Sequence, residues 1–294
     1  MFKITSFGEV LWDNLPTGKV LGGAPVNLLT HLATLGADCS VISRCGNDDD
    51  GAALLAAIQR KRVATDLIQI NNQFATSQVL VQLDNEGSAH YDIVYPCAWD
   101  EIHASEAAKA RVAQSDVFVF GSLAVRDAVS RQALAELLPY AAFKIFDVNL
   151  RLPHYQFSHL RDMMQQADFI KFNDDELYEI AAALGSPYRS MEQNLHFIAE
   201  HTHTRQICVT LGKHGALYFC DGKLFAHHGY RVTVADTVGA GDSFLAGFIH
   251  QFLQRKSPPE TLAFACALGS LVASRHGATP EITLTEIDAL MHPQ

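Results

Sequence analysis

Short runs of β-branched and aromatic residues alternate along most of the chain with segments in which apolar residues recur every three or four positions. Lys3 to Val10, Cys39 to Cys45, Asp116 to Leu123, Lys144 to Val148, Ala167 to Phe172 and Gln206 to Thr210 have the length and composition of buried strands. Between them, Leu28, Leu29, Leu32 and Leu35 mark one helix face that stops at Gly36, and further helices are expected over Ala52 to Arg60, Arg126 to Leu138 and Glu260 to Ser274. Strand followed by helix, repeated, is the pattern of parallel βαβ units and predicts an α/β fold. Tyr230 to Ala235 is a β-branched run that leads into a helix carrying Phe244, Leu245, Phe248, Ile249, Phe252 and Leu253 on one face.

The period changes from Thr65 to Tyr95. Asp66 to Ile70, Ser77 to Leu83 and His90 to Val94 alternate with period two, with a turn expected at Asp84 to Gly87, so antiparallel strands interrupt the helical alternation. A hairpin, Ala216 to Cys220 and Lys223 to His228, is expected across Asp221-Gly222. There are no internal repeats and no linker rich in Pro, Gly or Ser. One domain over residues 1–294 is therefore expected, with a small β lid from about 11–21 and 66–97.

Of the 294 residues 48% are apolar, enough for a substantial core, and the net charge of −10 argues against nucleic acid or an anionic membrane as the main partner. The six cysteines contain no C-x-x-C and lie mostly in apolar surroundings, as expected of reduced core residues. His201/His203 and His227/His228 do not supply the four ligands of a structural zinc site. The N-terminus lacks the basic and apolar regions of a secretory signal, and a cytoplasmic location is expected.

The chemistry concentrates in Asp236-Thr237-Val238-Gly239-Ala240-Gly241-Asp242-Ser243-Phe244. Gly239 and Gly241 at a helix start permit close approach to backbone N–H groups that attract an anion. The carboxylate of Asp242 would then be within reach of a hydroxyl attacking a bound phosphoryl group. The alternative is ordinary capping by Asp242 and Ser243. There is no G-x-x-x-x-G-K-[ST], so phosphate contact would rest on backbone amides rather than on a P-loop lysine.

This stretch resembles the second signature of the PfkB (ribokinase-like) carbohydrate kinases, and other segments follow that family's order along nearly the whole chain. GEVLWD, ending in Asp13, is similar to the fructokinase version of the sugar-binding acidic segment. GGAPVN is similar to the substrate motif G-G-A-x-x-N, which assigns Gly23 and Asn27 to the sugar. Gly46 to Gly51 resembles the first signature, although its three aspartates also suit helix capping. DVNLR is similar to D-x-N-x-R and implies Asn149 and Arg151 near the sugar or the transferred phosphate. Asn173 and Glu176 match N-x-x-E, which implies contact through water with Mg²⁺, while the same spacing is a capping box. Thr210, Gly212, Gly215 and His276 would lie beside the nucleotide, and Asp236 beside a K⁺ ion.

The resemblance implies a three-layer α/β/α fold with a mostly parallel sheet and the β lid, which could also form a homodimer contact. It implies transfer of the γ-phosphoryl group of ATP to a primary hydroxyl of a monosaccharide. Asp242 would be the base and the Gly239, Ala240 and Gly241 amides the anion hole. Fructose is the expected acceptor, with 2-keto-3-deoxygluconate or ribose as alternatives, and no Lys or Arg occurs from Asn71 to Tyr95 to favour an acidic sugar. A non-catalytic sugar- or nucleotide-binding regulator is the rival from another class. A Rossmann dehydrogenase would need G-x-G-x-x-G after the first strand, where Gly8 stands alone.

Overall fold

The structure is a computed structural model that describes residues 1–15, 18–83 and 89–293. Nine strands form the large sheet: β1 Lys3–Phe7, β4 Asp38–Gly46, β5 Ile68–Asn71, β8 Val117–Gly121, β9 Lys144–Asp147, β10 Phe169–Asn173, β11 Gln206–Thr210, β12 Ala216–Cys220 and β13 Lys223–His227. Their order is β13-β12-β11-β10-β9-β8-β1-β4-β5. All neighbours are parallel from β5 to β11, while β11, β12 and β13 run antiparallel. A second sheet, β3-β2-β6-β7, is built from β2 Leu11–Leu15, β3 Gly18–Gly22, β6 Ser77–Leu83 and β7 Ala89–Ile93.

Side chains of the central strands divide between two cores, because successive residues of a strand point to opposite faces. Phe118, Phe120, Phe146, Ile170 and Ile207 enter one core, closed by helices α3 Glu106–Ala113, α4 Ala128–Leu137, α5 Phe157–Gln166, α6 Asp174–Ala183 and α7 Met191–Thr202. Their neighbours Val117, Val119, Ile145, Phe169 and Cys208 enter the other, closed by α1 Ala24–Thr34, α2 Asp49–Arg60, α8 Ala240–Leu253 and α9 Pro258–Ala273. The result is the three-layer α/β/α arrangement. Helix α10 Leu284–Met291 packs on α9 through Ile287.

Two expectations change, and the run Tyr230 to Ala235 finds its place. Tyr230 to Ala235 forms no strand; its segment crosses to α9, where Ala235 and Asp236 donate their N–H groups to the carbonyl of Ala273. Residues 66–70, assigned from their period to the lid, contribute β5, which pairs in parallel with β4 at the edge of the large sheet. The small sheet is not wholly antiparallel, since β2 and β6 run parallel. The turn expected at Asp84 to Gly87 lies outside the described residues. Trp99 is wholly buried in the first core under the guanidinium of Arg126, 4.0 Å from its ring centre, so it packs against the domain. The six cysteines are free thiols, five of them buried. Among the described residues no helix is long and apolar enough to cross a membrane.

Candidate active site

The carboxyl ends of β1, β8, β9 and β10, where parallel sheets gather ligand-binding groups, converge with the start of α8. Gly239 caps that helix with a left-handed φ of 74°. A Cβ there would stand 2.6 Å from the Cα and carbonyl oxygen of Ala278, so glycine is required twice, by conformation and by space. Ala240, expected in the anion hole, instead donates its N–H to Thr237, and Ser243 donates to Gly239, whereas the N–H groups of Gly239, Gly241 and Asp242 have no acceptor among the described residues. These free donors at the start of a 14-residue helix form an anion-attracting turn.

Asp242 follows directly. Its Oδ2 accepts from Asn27 Nδ2 at 2.9 Å, a bond joining residues 215 positions apart. Burial pushes its carboxyl up to about 6, and the nearby Asp147 carboxylate adds to this, while the Asn27 hydrogen bond and the Lys171 and Arg151 charges oppose it. At neutral pH the group is still mainly ionised and is a stronger base than an ordinary carboxylate. Asn27 is buried in the first turn of α1, and its Oδ1 is a buried acceptor without a partner, left for a donor such as a hydroxyl group.

Lys171 and Asp147 are the pair that the periodicity did not isolate. Lys171 Nζ donates to Asp147 Oδ1 at 2.8 Å, both side chains are buried, and the ammonium lies 3.4 Å from where a Cβ on Gly241 would be. Burial alone would lower the lysine, but the Asp147 and Glu176 carboxylates hold it above its ordinary value, so it stays charged beneath the glycine turn. A lone lysine within the apolar run Ala167 to Phe172 was the available signal. Glu9 was also passed over. It is 5% exposed, accepts from the Ala24 N–H at 3.3 Å, and burial pushes its carboxyl up to about 7, opposed in part by the Arg151 charge.

Arg151 itself is exposed, but its charge acts on Glu9, Asp13 and Asp242, carboxylates from three separate segments. Asp13 is held above its usual range by burial, with Arg151 opposing, and its Oδ2 lies 2.2 Å from the position a Cβ on Gly22 would take. Gly23 has a φ of 107° and is pressed against the Glu9 carbonyl, which aims the GGAPVN turn. Asn149 takes a positive φ of 42°, an uncommon conformation outside glycine, and its carbonyl accepts from Ser122 Oγ.

Most of the remaining predicted residues have structural partners. Asn173 and Glu176 form a reciprocal capping box at α6, and the second carboxylate oxygen of Glu176 accepts from the Leu150 N–H. Each Glu176 carboxylate oxygen accepts one backbone N–H and keeps a further lone pair for water or a cation. Asp236 accepts from the N–H groups of Val238 and Gly277, which lower its carboxyl and fasten the motif to the loop after α9. Thr210 Oγ1 donates to the Phe172 carbonyl, and a Cβ on Gly215 would overlap the His227 carbonyl, so the Leu211 to Gly215 turn is held against the end of β13. Gly212 has open space above it, and His276 is exposed. Among the described residues no group of three or more His, Cys, Asp or Glu forms a metal-binding set.

The sequence model of the pfkB family carbohydrate kinases matches residues 5–284, and the chain belongs to that family. It is 27% identical to a probable fructokinase-3 of Arabidopsis thaliana over 98% of this chain and 90% of that protein. A fructokinase with bound ATP from Xylella fastidiosa has the same fold at a TM-score of 0.86, with 25% identity and 98% of both chains covered. A fructokinase double mutant from Vibrio cholerae O395, in a fructose-, ADP- and potassium-bound form, superposes at a TM-score of 0.85 over 99% of both chains with 21% identity. The chain is therefore a sugar kinase with the ribokinase-like fold.

Proposed function

We propose that this sugar kinase transfers the γ-phosphoryl group of ATP to the primary 6-hydroxyl of fructose. The observation that carries the reading is the Asp242 carboxylate, raised to about 6 and held by Asn27, beside the free amides of the glycine turn and above the Lys171 ammonium. A hydroxyl placed against Asp242 loses its proton to that carboxylate as its oxygen attacks the terminal phosphorus, and the bond to the ADP oxygen breaks. The Gly241 and Asp242 amides and the Lys171 charge oppose the negative charge on the moving phosphoryl group. Asn27 fixes the base, and its unpartnered Oδ1 accepts from a sugar hydroxyl. Asp13, Gly23, Asn149 and Arg151 would complete the sugar site, since a carboxylate accepts from two adjacent hydroxyls and a guanidinium donates along a plane.

Mg²⁺ supplies charge neutralisation on the nucleotide's phosphates. Glu176 and Asn173 could hold its water molecules through the lone pairs that their backbone hydrogen bonds leave over. K⁺ near Asp236 and a cytoplasmic location belong to the same reading, as does a lid of the small sheet that meets its copy in a dimer.

The test is a coupled ADP-release assay over fructose, ribose and 2-keto-3-deoxygluconate. Fructose-dependent release is expected to exceed the others in kcat/KM. ADP release that no sugar accelerates, alongside measurable sugar binding, would instead identify a regulator.

A further inference from the structure

Helix α1 carries a second long-range tether, one turn beyond Asn27. His31 is 3% exposed, and its Nε2 lies 3.0 Å from the carbonyl oxygen of Ala278, 247 residues away. Ala278 is the residue against which Gly239 is packed, 2.6 Å from the site of a would-be Cβ. Just past the end of α2, Lys61 Nζ donates to the Thr279 carbonyl at 3.2 Å. Residues four apart share a helix face. One face of α1 thus holds both the carboxylate of Asp242, through Asn27, and the wall behind the glycine turn, through His31.

We infer that His31 is a positioning residue for the nucleotide side of the site: by donating its Nε2 hydrogen to the Ala278 carbonyl it fixes the 276–279 loop against Gly239. Because the same rigid helix begins at the GGAPVN turn, it also couples occupancy of the sugar side to affinity on the nucleotide side. The coupling part rests on the kinase reading above, whereas the tether does not. Burial lowers the imidazole, the Ala278 bond opposes this and the Lys61 charge adds to it; facing a carbonyl oxygen, Nε2 can only be the donor. The carbonyl would be left without that donor if the ring were replaced by a hydrocarbon.

The test compares His31→Leu with His31→Gln, whose amide nitrogen reaches a similar position. Hydrogen exchange across residues 276–280 reads the tether without any activity. The leucine variant should exchange faster there by about tenfold, with the glutamine variant returning toward wild type. Dissociation constants for AMP-PNP, with and without fructose, read the coupling. In wild type fructose should tighten AMP-PNP; His31→Leu should weaken AMP-PNP about 5- to 30-fold and reduce the enhancement, leaving fructose binding alone nearly unchanged. Unchanged exchange in a folded His31→Leu variant would overturn the tether. Faster exchange with an undiminished fructose effect would overturn the coupling. If wild-type protein bound neither AMP-PNP nor fructose, the kinase reading and the coupling would fall together, and the exchange experiment would still decide the tether.

Discussion

The two sides of the cleft are built differently. The glycine turn and its surroundings are fixed from many directions: Asn27 on Asp242, Lys171 with Asp147 beneath, Ala278 against Gly239, and Asp236 gripping both Val238 and Gly277. The small sheet opposite is four strands wide and exposes Leu15, Val20 and Leu80, each more than a third accessible. A reaction that needs a base and an anion hole in fixed relation gains from the first kind of construction, since misplacement by a fraction of an ångström weakens every interaction there. In the reading proposed above, choice of sugar falls to the thinner sheet, whose exposed apolar residues contrast with the closely tied glycine turn.

The largest effect should come from Asp242→Asn. Turnover is expected to fall by about 10²- to 10⁴-fold, with calorimetric affinities for ATP and fructose kept, because the amide occupies the same space but takes no proton. Unchanged kcat would show that the rigid side does not carry the chemistry. Gly239→Ala comes next. A side chain at a φ of 74° with Ala278 2.6 Å away should cost about 1–3 kcal/mol, seen as a lower Tm and a raised KM for ATP, while the KM for fructose changes little. On the other side of the cleft, Asp13→Asn should raise the KM for fructose about tenfold and leave the KM for ATP near its starting value. Equal effects on both substrates would erase the division of labour.

Glu9 sharpens the comparison by pH, since it sits between the two sides against Ala24. Its folded carboxyl stands at about 7 against an ordinary value of 4.5, so the folded state binds the proton more tightly. The resulting stabilisation is fully present below pH 4.5 and is lost as pH rises through about 7. Glu9→Gln keeps the acceptor for Ala24 and removes the titration. Its Tm should match wild type near pH 4.5 and exceed it at pH 8, by an amount corresponding to at most on the order of 3 kcal/mol. Parallel Tm curves for the two proteins would show that Glu9 is not buried as described.

Most of the frame could be read from the chain. The apolar strand runs and the helix spacing of Leu28 to Leu35 are set by residues close together in the chain, and β1, β4, β8 to β11 and α1 lie where the pattern put them. GGAPVN and DTVGAGDSF were legible for a related reason, because glycines at a helix start declare a close approach whatever lies above them. Other features were decided elsewhere. The β-branched run Tyr230 to Ala235 forms no strand because its backbone partner is the end of α9, and 66–70 joins the large sheet because β4 offers it an edge. A strand's partner is chosen by shape in three dimensions, and its own residues do not encode that choice.

Sequence alone determined the alternation of strands and helices, the glycine turn and the acid that follows it, since each depends on neighbours within a few residues. Only the tertiary structure decided that Lys171 lies beneath Gly241, that Glu9 is a buried carboxyl, and that one face of α1 reaches both Asp242 and Ala278. The physical reason is that charge, burial and hydrogen bonding between groups up to 247 residues apart are properties of position in space, and periodicity along the chain carries no information about them.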